Sequence, residues 1–359
     1  MARPQRNSAM RHTPVVRTLV TLLFLQALLS CSGGSNSIAQ TYTGLSDDED
    51  ISNETMERAD KIVQAWVQWI DEHDPSLASL SVSYRGRLIS SHSVGQPPES
   101  PAPVASLTKA ITGVCIARLV DNGKLSFDTR VQSVIPELAS TATVASLLTH
   151  TTGLRVDITQ NPAAYPGVDQ EYLMWVSQQE LSTAGNNTEA SSYHYNNANY
   201  AILGALITRI TGNNYEQACN KLVLEPAGIV NATLNDDWRI MSSWGGWKLS
   251  SIDYQKFLSK YFTETGLMNK DPLELPHTQL TDKINYGMGC LFRRVSNGGY
   301  NFWHSGQWHI NYGGKRHRFS AFFAHWDNGW SVATNQNISA IHGELTALDS
   351  ALATAAHKP

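Results

Sequence analysis

Apolar positions recur at three- and four-residue steps from Met56 to His73. Ile62, Ala65, Trp66, Trp69 and Ile70 share one face, which predicts an amphipathic helix. The pattern then changes to alternation: Leu80-Ser81-Val82-Ser83-Tyr84 reads as a strand, Arg85-Gly86-Arg87 as a turn, and Leu88-Ile89 as the start of a return strand. Pro97, Pro98, Pro101 and Pro103 bar regular structure until Val104, because proline lacks the backbone donor that ladders and helices need. A helical pattern follows from Ser106 to Val120 and stops at Asn122-Gly123. Further helices are predicted at Val144–Leu148, Glu171–Gln179, Asn199–Thr211, Tyr215–Leu224 and Ile252–Tyr261. Strands return at Tyr300–Trp303, Arg318–His325 and Trp330–Thr334, the last two joined by an Asp327-Asn328-Gly329 turn, and a final helix runs from Ser339 to Ala356.

Strands therefore lie at both ends of a helical middle. They can share one sheet only if the chain returns to it, with the middle forming a second lobe: an α+β arrangement. No internal repeat or long linker divides residues 56–356, so they are expected to form one domain of two lobes.

Composition narrows the class. With 42% hydrophobic and 16% charged residues, the chain is neither disordered nor a coiled coil. Its 27 basic and 31 acidic residues, net −4, argue against a nucleic-acid partner. The charge is uneven. Residues 1–30 hold Arg3, Arg6, Arg11 and Arg17 and no acid, leaving 23 basic against 31 acidic groups, or −8, on the rest. That basic start, the apolar stretch Val15–Leu29 and small residues after it have the layout of a secretory signal over residues 1–30. Leu28-Leu29-Ser30-Cys31 resembles the lipobox of bacterial lipoproteins, in which Cys31 would carry the lipid. An ordinary cleaved signal or an uncleaved anchor are the alternatives. Residues 31–55, rich in Gly, Ser, Asn and acids, read as a flexible tether. The expected location is periplasm-facing and lipid-anchored. Ser32, in place of an Asp after Cys31, favours the outer membrane. Cys115, Cys219 and Cys290 show no paired spacing and are expected as buried thiols.

Three short segments could carry chemistry. Ser106-Leu107-Thr108-Lys109 opens a helix, where positions i and i+3 sit about 5–6 Å apart at Cβ. The Lys could contact the Ser hydroxyl, hold a nearby base, or act as base itself if burial lowers its pKa. The bland alternative is a capping Ser and a solvated Lys. Tyr195-Asn196-Asn197 could supply a phenolate and an orienting amide, or merely cap the next helix. His304-Ser305-Gly306 follows Phe302-Trp303, so it lies on a strand edge where Gly admits a close backbone. A lone strand His is more often structural.

In this order, 89 and 109 residues apart, the segments resemble the serine β-lactamase and penicillin-binding-protein superfamily. Tyr-x-Asn and His-x-Gly are similar to the branch of class C β-lactamases, D-Ala-D-Ala carboxypeptidases and esterases. Ser146–Leu154, Gly245–Ser250, Tyr286–Gly289 and Asn335 resemble its other landmarks. The resemblance implies an antiparallel sheet of five or more strands, flanked by terminal helices, beside a helical lobe. It also implies Ser106 as nucleophile with Lys109 its partner, Tyr195 as general base and acid, and Asn197 aligning Lys109 and substrate. His304 and Gly306 would line the strand edge, and the backbone N–H groups of Ser106 and Gln307 would form the oxyanion hole. No metal or organic cofactor is implied.

Two departures bear on substrate. His304 and Ser305 stand where β-lactamases of this branch carry Lys and Thr, which weakens the attraction for a substrate carboxylate. Gln307-Trp308-His309-Ile310-Asn311-Tyr312 is bulky where the branch has small residues. Trp308 and Trp247 either narrow an acyl pocket or pack beneath the loop. The expected activity is that of a serine hydrolase on small-molecule or peptide esters or amides, an esterase or D-amino-acid peptidase before a dedicated β-lactamase. The alternative is a non-catalytic lipoprotein that binds peptidoglycan fragments or a protein partner.

Overall fold

The computed structural model describes residues 51–138, 140–155, 157, 159, 178, 192–234, 241–269, 272–312, 314–338 and 342–358. The signal, most of the tether including Cys31, the segment predicted as a helix at 171–179 and residues 339–341 lie outside them, apart from residue 178. The described residues belong to one compact unit, 37–359.

Helix α1 spans Asn53–His73, three residues earlier than the apolar pattern predicts, because the Ser52 side chain caps it by accepting from the Thr55 N–H at 3.2 Å. The hairpin follows as β1 (Ala78–Tyr84) and β2 (Arg87–Val94). A short strand β3 (Ala102–Pro103) interrupts the proline-rich stretch, contrary to expectation: Pro103 is tolerated because the strand has only one neighbour. After it come α2 (Thr108–Asp121), α3 (Val131–Val134), α4 (Val144–Leu148), α5 (Asn197–Thr211) and α6 (Tyr215–Cys219). Beyond α6 the predicted helix loosens into a π-turn at Asn220–Leu224. The chain continues through β4 (Thr233–Leu234), α7 (Ser242–Gly245), β5 (Trp247–Leu249) and α8 (Ser251–Tyr261). It then enters β6 (Thr278–Gln279), β7 (Asn285–Gly287), β8 (Cys290–Arg294), β9 (Tyr300–Tyr312), β10 (Lys315–His325) and β11 (Trp330–Gln336), and closes with α9 (His342–His357).

The main sheet has eight strands in the order β2-β1-β11-β10-β9-β8-β7-β6. Every pairing in it is antiparallel, so the two ends of the sequence meet at β1 and β11, with Val82 opposite Val332. Its alternation buries both faces. Leu80, Val82, Phe322 and Val332 pack with Trp66, Trp69, Leu348 and Leu352 of α1 and α9. Ala321 and Phe323 face the other way, joining the core that runs through α2, α5 and α8. The serines of β1, polar positions that a half-exposed strand would show to water, are buried too. Ser81 Oγ meets Ser251 Oγ at 2.8 Å, and Gln255 of α8 donates to the Ser81 carbonyl and accepts from Ser331 Oγ. A helix covers that face, and there Ser81 is hydrogen-bonded instead of hydrated, whereas Ser83 Oγ is buried without a partner among the described residues. Cys115, Cys219 and Cys290 are free and buried, as their spacing led one to expect.

The strand pairing also frames a cleft. β9 is paired on both sides only as far as Trp303. From His304 onward β10 still covers one edge, while β8 has ended. That half-open edge faces the turn that leads into α2.

Candidate active site

The small sheet β3-β5-β4 holds the nucleophile turn in place: the Val104 N–H donates to the Trp247 carbonyl at 3.0 Å, and the Trp247 N–H donates to Thr108 Oγ1. Between these anchors Ala105 adopts φ 46°, a left-handed conformation that costs a non-glycine residue energy and persists only where its surroundings enforce it. Ser106 sits in the single 3-10 turn Ala105–Leu107, at the mouth of α2. Here the helix dipole and backbone N–H groups favour developing negative charge.

Lys109 lies on the first turn of α2 and is fully buried. Its Nζ is 3.0 Å from Ser106 Oγ and donates to the Trp244 carbonyl at 2.9 Å. Burial pulls the ammonium down to about 7, opposed by the charge of Asp157. The solvated-lysine alternative is thereby removed.

Tyr195 brings its ring to 5.0 Å from Lys109 Nζ, and its side chain hydrogen-bonds Ser106. The residue keeps 37% of its surface open, yet burial of the hydroxyl pushes the phenol well above its ordinary value. This corrects the phenolate expectation. His304 lends the phenol no positive charge: burial and Lys109 push it down to about 3, with Nδ1–H donating to the Ser305 carbonyl at 2.6 Å. Asn196 caps α5 by accepting from the Ala198 N–H at 2.8 Å, so the segment both caps a helix and furnishes the site.

Asn197 is placed differently from expectation. Its Nδ2 donates to Asp157 Oδ2 at 3.1 Å, and its Oδ1 is buried without a partner, so it makes no hydrogen bond to Lys109. The Trp244 carbonyl takes that place. His304, Gly306 and Trp308 share the inward face of β9 by strand alternation, while the side chain of Gln307 is exposed. A Cβ on Gly306 would stand 2.8 Å from the Ser106 nitrogen and 2.8 Å from the Val104 oxygen. The open edge of β9 therefore abuts the nucleophile, and Gln307 is the next residue along it. Trp308 and Trp247 do not wall a pocket: Trp247 is fully buried with Nε1 donating to Tyr215 Oη at 3.0 Å, and Trp308 is 6% exposed and packs over Gly245.

Contributors that no motif reading assigned complete the arrangement. His150 accepts at Nδ1 from the Asn196 N–H and Asn199 Nδ2, so Nε2–H donates to Tyr286 Oη at 3.2 Å. Burial holds this imidazole neutral, and it fixes the Tyr195 segment from behind. The Tyr286–Gly289 turn locks onto α2: a Cβ on Gly289 would fall 2.2 Å from the Lys109 carbonyl. His150 and Tyr286 lay within landmark segments; Asp157, 40 residues from Asn197, had no signal at all. Among the described residues, no three His, Cys, Asp or Glu gather as a metal site.

Comparison with known proteins agrees with this architecture. The family model described as Beta-lactamase matches residues 70–340. The chain is similar to penicillin-binding protein 4 of Amycolatopsis lactamdurans, 29% identical over 131 residues, which are 34% of this chain and 33% of that protein. It spans only about a third of the length of the curated relatives it matches. Among solved structures it is similar to the octameric penicillin-binding protein homologue of Pyrococcus abyssi, with TM-score 0.64, 18% identity, 81% of this chain and 76% of that one covered. It is also similar to a D-stereospecific amidohydrolase of a Streptomyces species, with TM-score 0.63, 19% identity and coverage of 83% and 98%. At these identities the structures speak to the fold.

Proposed function

The chain belongs to the Beta-lactamase family, a family of serine hydrolases, and on that premise we propose that it cleaves esters or amides through an acyl-Ser106 intermediate. The observation that carries this is the contact of Ser106 Oγ with a fully buried lysine whose pKa falls to about 7. At neutral pH a large fraction of Lys109 is an amine and can accept the Ser106 proton as Oγ attacks the carbonyl carbon. Tyr195, kept as a phenol, relays a proton to the leaving group. Ser106 N–H and the adjacent β9 edge at Gln307 take the oxyanion. Water then attacks the acyl-enzyme by the same groups in reverse.

The substrate reading is an esterase or D-amino-acid peptidase rather than a dedicated β-lactamase. Neutral His304 offers no charge to a substrate carboxylate, and a D-stereospecific amidohydrolase shares the fold. The test is to treat the soluble protein with a fluorophosphonate and with a labelled penicillin, with Ser106→Ala as control. A fluorophosphonate adduct on Ser106 is expected, with poor or slow penicillin labelling. A folded protein that gains no adduct from either reagent would sink the enzyme reading, and rapid penicillin turnover would return it to β-lactamase. Export and lipidation at Cys31, which would leave the domain facing the periplasm, belong to the same proposal. They are supported by the basic, apolar and lipobox-like order of residues 1–31.

A further inference from the structure

Two buried thiols that take no part in the acyl chemistry face each other across the helical lobe. Cys115 lies on α2, three residues after Thr112, and Cys219 ends α6, four residues after Tyr215. Each thiol therefore shares a helix face with that earlier residue, one turn away. Thr112 and Tyr215 already bridge the two helices, with Thr112 Oγ1 and Tyr215 Oη 2.6 Å apart. Cα atoms of α2 and α6 come within 8 Å of one another. The juxtaposition carries one turn along to the cysteines, whose thiols hydrogen-bond each other. Both are free and have no exposed surface. Cys290 is set apart: it lies on β8, and its thiol meets the Gly287 carbonyl at 3.7 Å.

The frame around the pair is fixed. Trp247 Nε1–H donates to Tyr215 Oη, Tyr215 donates to Thr112 Oγ1, and Thr112 donates to the Ser243 carbonyl at 2.7 Å. These bonds hold α2 beside α6 whether or not the sulfurs are joined. A crosslink here would tie positions 104 residues apart and so remove much freedom from the unfolded chain. It would also fasten α2, whose mouth carries Ser106 and Lys109, to the rest of the helical lobe.

We propose that Cys115 and Cys219 are a thiol–disulfide pair that closes between α2 and α6 when the chain folds in an oxidising medium. With glutathione disulfide as the oxidant, one cysteine loses its proton and its sulfur attacks the oxidant, which forms a mixed disulfide and releases one glutathione. The second cysteine sulfur then displaces the remaining glutathione. Two electrons and two protons have passed to two glutathione thiols, and one S–S bond joins the helices. Burial, and after it the neighbouring Cys115, push the Cys219 thiol well above its ordinary value, so little thiolate exists once the lobe has packed. Closure therefore belongs to the folding chain, and the folded reduced protein resists it.

The experiment refolds the reduced protein from guanidinium, once in a glutathione redox buffer and once in excess dithiothreitol, then alkylates free thiols in denaturant and maps the peptides. Refolding in glutathione should give a peptide pair joined through Cys115 and Cys219, lighter by two hydrogens than the two thiol peptides, with Cys290 alkylated. The joined form should melt about 5 °C or more above the reduced form, because the unfolded state is the more constrained. Cys115→Ala and Cys219→Ala should each melt at the same temperature from either buffer. Alkylation of both thiols after refolding in glutathione overturns the proposal, and so does either one joined to Cys31 or Cys290 instead. The same mapping on protein expressed in an oxidising bacterial compartment requires neither refolding nor a variant, and two alkylated thiols there overturn it equally.

Discussion

Lys109 shows how much depends on the surroundings of a single side chain. A lysine three residues after a serine is common; one with no exposed surface, bonded to that serine at 3.0 Å, is not a surface charge. Its ammonium is lowered to about 7 by burial, so the base form grows as pH rises through that value. Hydrolysis of a neutral ester should accordingly rise along an acid limb centred near pH 7, read as kcat/KM against pH. Lys109→Met should cut the rate by about 10²–10⁴-fold, the usual worth of a positioned general base. A limb near pH 10 would instead mean that Lys109 stays charged and that another group takes the proton. His304 adds no limb, because it remains neutral throughout.

At the scale of elements, the site is a joint between three pieces: the α2 mouth, the Tyr195 segment before α5, and the open edge of β9. Gly306 is the seam. With a Cβ there 2.8 Å from the Ser106 nitrogen, Gly306→Ala must push the strand or the nucleophile turn aside. The substitution should cost about 1–3 kcal/mol in urea unfolding, as overpacking does. It should also lower acylation of Ser106 more than it lowers substrate affinity. Unaltered acylation kinetics would show that β9 does not border the reacting atoms. The helices and hairpin were legible from apolar spacing, because each buries one stripe or one face. The far half of β9 was not, because Gln307–Tyr312 mixes bulky and polar residues and its inward face is read only once Gly245 is seen beneath Trp308.

At the scale of the whole molecule, the terminal helices close over one face of a sheet whose central strands come from opposite ends of the chain. The first described helix begins at Asn53, 22 positions after Cys31 in the sequence. Cys31→Ser should abolish incorporation of a fatty-acid analogue in cells while the domain still folds. Persistent labelling would place the anchor elsewhere.

The sequence by itself determined the class of the fold, the longer helices α1, α2, α5, α8 and α9, and the three segments that could carry the chemistry. Those follow from local periodicity and from residue types whose reactivity is intrinsic. Only the tertiary structure set the protonation of the candidate groups, because a pKa is set by burial and neighbours: Lys109 falls, Tyr195 rises and His304 loses its charge. It also decided that Trp247 and Trp308 belong to the core and that Asp157, remote in sequence, hydrogen-bonds the Asn197 amide. A contact between residues 40 positions apart leaves no local pattern to read, and burial by a second layer appears only when that layer has packed.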